Sequence, residues 1–224
     1  MINTKQEFDK RLVEINIYFD TLDVLDKGRC TISCTDITGN YIAKPIDDAL
    51  SKILKANGFL LLYNLIEATI RSSIIEILST IHSHSIQYKN ISDKLKILWV
   101  NQEFKKLKED KSLKNKILTF SEEILDDKLL VFKVECVNIS GNLDAQEIRK
   151  IAKQFGYNES ANGRDLVTIK NKRNHLAHGE YTFADIGKDY TVRELVDFKD
   201  EVCIYLVDVL NNIEIYINNK EFKK

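Results

Sequence analysis

The chain has 224 residues, of which 44% are hydrophobic and 30% charged, and its formal net charge is −1 at pH 7. This composition excludes a disordered chain, and the length suits a single folded domain. The small net charge also excludes a protein that coats nucleic acid through overall charge, since such binding neutralises many phosphates. Any nucleic-acid contact must therefore come from a local patch.

The first part of the chain shows one helical stripe followed by a short β-forming stretch. Apolar residues from Thr4 to Lys27 recur every three or four positions, which predicts an amphipathic helix that ends at Gly28. Residues that favour strands flank a turn at Thr38-Gly39. We therefore expect a small β-hairpin over about residues 29–44.

A long central helix is expected next. Pro45 suits a helix start, and the apolar pattern continues to about His82, with a bend expected near Asn57-Gly58. Within this helix, Glu67 and Arg71 lie one turn apart among leucine and isoleucine residues. This spacing favours a structural ion pair, and a supporting role in function is the alternative.

Shorter helices follow in the second half of the chain. Apolar spacing predicts helices over about residues 92–107 and 112–128. The pattern Asp144-x-x-Glu147 has the spacing of a capping box, in which both side chains satisfy free backbone amides at a helix start. We expect a helix to begin there and to end at Gly156.

Two further helices complete the predicted fold. One runs from Arg164 to His178, and the other begins at a second capping box, Thr191-x-x-Glu194, and continues to about Asn218. Residues 180–190 between them are expected to form a loop or a small hairpin. The sequence thus predicts a mainly-α helical bundle with one small hairpin, as a single domain over residues 1–224.

An arginine lies in the middle of the apolar stripe of the Arg164–His178 helix. On a wheel of about 100° per residue, Arg173 clusters with apolar side chains, namely Leu166, Ile169, Leu176 and Ala177. A guanidinium does not lose its proton in proteins, so a charge at this position needs partners. The pattern therefore indicates an interface or a functional site.

Two polar side chains accompany this arginine. Asn174 and His178 are four residues apart and stack on the face beside the stripe, whereas His175 points away. A guanidinium, an amide and an imidazole can supply fixed charge for phosphoryl oxygens and a proton carrier that titrates near neutrality. From the spacing alone, the alternative is a surface histidine beside a salt-bridged arginine.

The same residues carry a family resemblance. Residues 172–179, Lys-Arg-Asn-His-Leu-Ala-His-Gly, closely resemble the Arg-x4-6-His signature of HEPN nucleases. Residues 62–71 and 141–149 are similar to segments of one prokaryotic HEPN branch that is associated with toxin–antitoxin and phage-defence loci. With the last helix, the similarity covers most of residues 50–215.

The resemblance implies a helical bundle that forms a homodimer, with two motifs facing one cleft that cuts RNA without metal or other cofactor. His178 would act as acid or base, Arg173 would stabilise the charged phosphoryl group, and Asn174 would orient the pair. A cognate antitoxin or another defence-system protein is an expected partner. Some HEPN toxins carry a modified tyrosine two residues after the histidine. Here Glu180 holds that place, and Tyr181 follows as a supporting candidate.

RNA binding requires a local positive surface, and the sequence offers lysines in two places. They recur from position 94 to 116, and others adjoin the motif. The candidate RNA contacts are Lys105, Lys106, Lys108, Lys170 and Lys172. An ordinary solvated helix face is the alternative for such a pattern. Trp99 and Tyr88 are aromatic residues that stack on bases or, alternatively, pack in the core.

The cysteines indicate a reducing compartment, because they are too few and too scattered for a disulfide framework: Cys30, Cys34, Cys136 and Cys203. Cys30 and Cys34 with His82 and His84 invite a zinc site, but His-x-His is not the usual second half of one, so no metal is expected. The first residues do not resemble a signal peptide, and no run of about 18 apolar residues occurs. We expect a cytoplasmic protein without membrane contact.

Two classes of function follow from these observations. The leading prediction is a metal-independent endoribonuclease that acts as a toxin or phage-defence effector. The alternative is a non-catalytic HEPN-like module that binds RNA or protein, and a purely structural helical protein is third. The presence of both Arg173 and His178 favours the enzyme.

Overall fold

The computed structural model describes residues 1–108, 113–137, 139 and 141–224, with side chains in these ranges except at 106–108 and 113–116. Within the described residues there are eight α-helices and one two-stranded antiparallel sheet. The mainly-α prediction is therefore confirmed.

The predicted elements follow one another in the predicted order, and one further short helix lies before the last helix. They are α1 (Ile2–Asp26), β1 (Thr31–Thr35), β2 (Tyr41–Pro45), α2 (Asp48–Ser83), α3 (Asp93–Lys108), α4 (Leu113–Leu125), α5 (Ala145–Phe155), α6 (Leu166–Ala177), α7 (Phe183–Gly187) and α8 (Val192–Asn218). Two single 3₁₀ turns, Tyr88–Asn90 and Val134–Cys136, lie between α2 and α5.

The chain is organised as two compact units. The first comprises Met1–Lys5, Glu67–Asn162 and Tyr205–Lys224, and the second comprises Gln6–Ile66 and Gly163–Ile204. The helices α2 and α8 contribute residues to both units. Whether the chain behaves as the single predicted domain stays a prediction.

In the first unit, α5 begins and ends at the predicted residues, with Asp144 as its N-terminal cap. The Asp144 carboxylate accepts a hydrogen bond from the backbone N–H of Glu147 (3.0 Å), and Gly156 ends the helix. The Glu147 carboxylate contacts Lys150 (2.6 Å), one turn further along the helix. One face of α5 is buried, through Ile148, Ile151, Ala152 and Phe155.

The second unit contains the helix that carries the predicted motif. Its buried apolar side chains come from α1, the first half of α2, α6, α7 and the start of α8, and include Phe19, Phe59, Leu166, Ile186 and Leu195. Gly187, the last residue of α7, approaches the backbone of α2 closely. A Cβ atom built on Gly187 would lie only 1.9 Å from the carbonyl oxygen of Lys52.

The hairpin is confirmed, but Pro45 does not begin the central helix. Pro45 pairs with Thr31 at the end of β2, and α2 begins at Asp48. The reason is a polar cap just ahead of the helix, where the Asp47 carboxylate accepts a hydrogen bond from the backbone N–H of Leu50 (2.8 Å). All residues of β1 and β2 are exposed.

The prediction of a loop or hairpin over residues 180–190 was wrong, because α7 lies there. Thr182 and Asp185 form a capping box in which Asp185 N–H donates to the Thr182 hydroxyl (3.1 Å) and Thr182 N–H donates to the Asp185 carboxylate (3.3 Å). The predicted box of α8 is also present, with Thr191 N–H donating to Glu194 (2.7 Å). Both starts follow the same sequence pattern.

The central helix α2 is long and apolar enough, by length and composition alone, to cross a membrane. Its most apolar window of 18 residues has a mean hydropathy of 1.2, but 56% of that window is buried inside the protein. Core helices commonly pass this test, so the observation is weak evidence for a membrane span.

Candidate active site

The predicted motif lies at the C-terminal end of α6. Leu166 and Ile169 in the first half of the helix are buried, which anchors α6 in the second unit. Arg173 and Asn174 are half-buried, and His178, the residue that caps the helix, is exposed. Along α6, the named side chains therefore change from buried in the first half to exposed at the last residue of the motif.

The Arg173 guanidinium is held by groups of its own chain. Its central carbon lies 4.0 Å from the ring centroid of Tyr63, a buried residue of α2, and its Nη1 donates a hydrogen bond to the Asn174 side-chain oxygen (2.9 Å). An aromatic face attracts a cation, and a planar guanidinium stacks well on it. These contacts fix the direction of the charge relative to α6.

His178 has a different environment from the other motif residues. Its backbone N–H donates to the carbonyl oxygen of Asn174 (2.9 Å), which completes the last turn of α6. Its exposed imidazole makes no hydrogen bond, ion pair or ring contact with the part of the chain that the structure describes. A substrate can therefore reach both ring nitrogens.

The sequence analysis missed the contacts of His175. Its Nδ1 lies 2.6 Å from a carboxylate oxygen of Glu180, and its ring meets the Tyr181 ring edge-on at 5.0 Å. A carboxylate in this position fixes the orientation and tautomer of an imidazole. The structure thus contains two dissimilar histidines near the helix end, of which His175 is held and His178 is exposed.

The helix end itself explains how Glu180 reaches His175. Gly179 adopts a left-handed conformation with φ of 70°, and Glu180 N–H returns to the carbonyl oxygen of His175 (3.0 Å), while Gly179 N–H bonds to that of Leu176 (3.2 Å). This is the Schellman arrangement, which is common at helix ends with glycine. The glycine at position 179, directly after the motif, is the sequence signal for this contact.

A surface pocket of about 380 Å³ opens beside His175. It is lined by charged and aromatic side chains from α6, α7 and the adjoining loops, chiefly Lys172, His175, Tyr181, Asp185, Lys188 and Asp189. Asp185 pairs with Lys188 (3.2 Å), and the hydrogen bond from the Thr182 hydroxyl, followed by Lys188, lowers the pKa of Asp185.

The sequence model of one protein family, described as HEPN_MAE_28990-like HEPN, matches residues 3–222. The chain belongs to this HEPN family. No curated protein and no solved structure matches the chain. The family assignment confirms that the chain is a member of the HEPN superfamily, and HEPN domains are in general nucleases or RNA-related modules.

The remaining candidate residues of this HEPN protein lie in different environments. Lys170 and Lys172 are half-buried on α6, and the Lys172 ammonium lies 5.3 Å from the centroid of the Tyr190 ring. Tyr181 is 54% exposed. Glu67 is half-buried and Arg71 is exposed, and the ion pair expected between them stays a prediction.

The lysine-rich segment is described only in part. Lys105 is exposed at the end of α3, whereas the side chains of Lys106 and Lys108 lie outside the described residues. Trp99 is 3% exposed and stacks on Phe120 with ring centroids 5.2 Å apart, as the core-packing alternative predicts. Base stacking on Trp99 would require this contact to open.

The residues considered for zinc have other roles. His82 accepts a hydrogen bond through Nε2 from the backbone N–H of Phe132 (2.8 Å), and Cys34 is exposed on the hairpin. Across the described ranges, no three histidine, cysteine, aspartate or glutamate side chains form a group that could hold a metal ion. Every cysteine is present as a free thiol.

Proposed function

We propose that this HEPN protein is a metal-independent endoribonuclease that acts as a homodimer in a toxin–antitoxin or phage-defence system. The observation that carries the proposal is the end of α6, where a fixed guanidinium, an amide and an exposed imidazole lie within about one helical turn. Arg173 is pre-oriented by Tyr63 and Asn174, so little reorganisation is needed when charge develops on a phosphate.

In the proposed reaction the 2′-oxygen of one nucleotide forms a bond to the adjacent phosphorus, and the bond from phosphorus to the 5′-oxygen of the next nucleotide breaks. One imidazole removes the proton from the 2′-hydroxyl, and a second gives a proton to the leaving 5′-oxygen. His178 supplies one imidazole, and its copy in the other protomer supplies the second. Arg173 stabilises the negative charge on the phosphoryl oxygens.

RNA cleavage is expected to persist in excess chelator and to leave 2′,3′-cyclic phosphate and 5′-hydroxyl ends. The reason is that the RNA itself supplies the nucleophile and imidazoles carry the protons, so no metal-activated water is needed. The measurement is end-group analysis of cleaved RNA with and without chelator. An RNA with a single 2′-deoxynucleotide at the cleavage site should not be cleaved, because it lacks the attacking 2′-hydroxyl. Activity lost in chelator and restored by magnesium would contradict the mechanism.

The chain, of 25.9 kDa, is expected to sediment as a dimer whose active sites contain groups from both protomers. One motif supplies one exposed imidazole for two proton transfers. In addition, the last turn of α6 leaves Ala177 exposed and Leu176 half-buried, an apolar end that a second copy would cover. Mixing the wild-type chain with excess His178→Ala chain should lower activity beyond simple dilution. Full activity in such mixtures, or a monomer at micromolar concentration, would exclude the shared site.

A further inference from the structure

The pocket beside His175 contains two charged groups that have no ionic partner among the residues that the structure describes. Within the described residues, the Lys172 ammonium and the Asp189 carboxylate make no side-chain hydrogen bond or ion pair. The neighbouring Glu180 and Lys188 side chains do have partners, since Glu180 contacts His175 at 2.6 Å and Lys188 contacts Asp185 at 3.2 Å. The pocket thus offers one cation and one carboxylate to a ligand.

The same pocket offers an aromatic surface. Tyr181 is 54% exposed, and its ring is fixed edge-on against His175 at an interplanar angle of 84°. Exposed aromatic rings that are held in position serve as stacking platforms for nucleic-acid bases. A volume of about 380 Å³ lies within the range of small-molecule sites.

We propose that this pocket is a nucleotide subsite that prefers guanine, an inference that rests on the proposed nuclease function and names part of its substrate. The base stacks on Tyr181, and Asp189 accepts hydrogen bonds from the base edge. Guanine presents N1–H and the 2-amino group side by side, a pair of donors that matches the two oxygens of a carboxylate. Adenine, cytosine and uracil lack such an adjacent pair.

The charges of the pocket assign the phosphate to Lys172. Lys188 is engaged by Asp185, and the carboxylates of Asp185, Asp189 and Glu180 repel additional phosphates. The site therefore suits one base with one phosphate and does not suit a di- or triphosphate.

The subsite lies next to the proposed chemistry. His175, which lines the pocket, precedes His178 by three residues on α6, and side chains at this spacing start about 5–6 Å apart on a helix. The pocket therefore lies beside the end of α6 that carries the exposed imidazole of His178. Binding of a guanine base in the pocket would therefore direct cleavage to a bond at a fixed position relative to that guanosine in the RNA.

Calorimetric titration of the intact chain with nucleoside 3′-monophosphates tests the proposal, because these ligands contain no bond to cleave. Guanosine 3′-monophosphate should bind at least about tenfold more tightly than the uridine, cytidine and adenosine ligands. Asp189→Asn should remove most of this preference, and Lys172→Met should weaken all four ligands similarly. Asp197→Asn, which changes an exposed aspartate outside the pocket lining, is the matched control and should leave binding unchanged.

The outcomes separate this inference from the nuclease proposal. Guanine-selective binding that depends on Asp189, in a chain that does not cleave RNA, supports the subsite and refutes the nuclease. Cleavage of RNA by a chain that binds all four ligands equally refutes the subsite alone. A guanine preference that survives in Asp189→Asn also overturns the proposed role of that carboxylate.

Discussion

Replacing His178 with alanine is expected to lower the rate of RNA cleavage by about 10²–10⁴-fold, the usual effect of losing a general acid or base. The melting temperature should change little, because the imidazole is exposed and makes no hydrogen bond, ion pair or ring contact with described side chains. Cleavage of a fluorescent RNA and thermal unfolding measure the two quantities. In cells, expression of the intact chain should slow growth, whereas the His178→Ala chain should not.

Replacing two other histidines distinguishes the role of His178 from a general effect of losing an imidazole. His84→Ala is the control for losing an imidazole outside the motif, since His84 follows the end of α2 and contacts Thr80 and Phe222, so cleavage should remain at the wild-type rate. His175→Ala should raise KM more than it lowers kcat, because His175 is held by Glu180 and lines the pocket proposed to bind a nucleotide. If the folded His175→Ala chain lost kcat as fully as His178→Ala, the catalytic imidazole would have been assigned to the wrong residue. Equal toxicity of the intact and His178→Ala chains would favour the non-catalytic module.

Gly187→Ala is expected to destabilise the protein by about 3 kcal/mol or more. This value is at or above the upper end of the usual cost of adding atoms to a packed core. The added methyl carbon would lie 1.9 Å from the carbonyl oxygen of Lys52, and both partners are helix backbone that cannot turn aside as a side chain can. To relieve the clash, α7 must move away from α2. The measurement is the free energy of unfolding from denaturant titration.

The control for this variant is Gly28→Ala, where a Cβ atom meets nothing within 4 Å. Its effect should stay within about 0.5 kcal/mol, as for most exposed substitutions. If Gly187→Ala failed to yield folded protein while Gly28→Ala folded normally, the result would agree with the close approach. Equal stability of the two variants would show that the backbones of α7 and α2 do not meet in this way.

Local patterns in the sequence were sufficient for most of the fold. The start of α5 at Asp144 depends on hydrogen bonds within three residues, so spacing alone predicts it. The capping pattern of α7 was equally visible at Thr182 and Asp185, but a helix of five residues has too few positions to show an apolar period. Short helices of this kind are recognised by their caps rather than by their hydrophobic pattern.

The candidate site was predictable only where its contacts are local. The spacing of Arg173, Asn174 and His178 identifies the motif because all three lie on one helix. Tyr63, on which the guanidinium stacks, is brought to α6 by tertiary packing, and no local pattern marks it as a partner. The pocket likewise combines α6 with α7, an element that the sequence analysis did not find.

The turn after α6 determines which of the two nearby histidines lies beside Glu180. In a Schellman ending, the residue that follows the glycine always returns to the third helical residue from the end. Here the Glu180 N–H bonds to the carbonyl oxygen of His175. The Glu180 carboxylate therefore contacts the ring of His175 and not that of His178. If the glycine lay one position later, the backbone N–H of the residue after it would bond to the carbonyl oxygen of Leu176 instead. The length of α6, together with the Glu180 carboxylate, thus determines that His175 is held while the imidazole of His178 stays exposed.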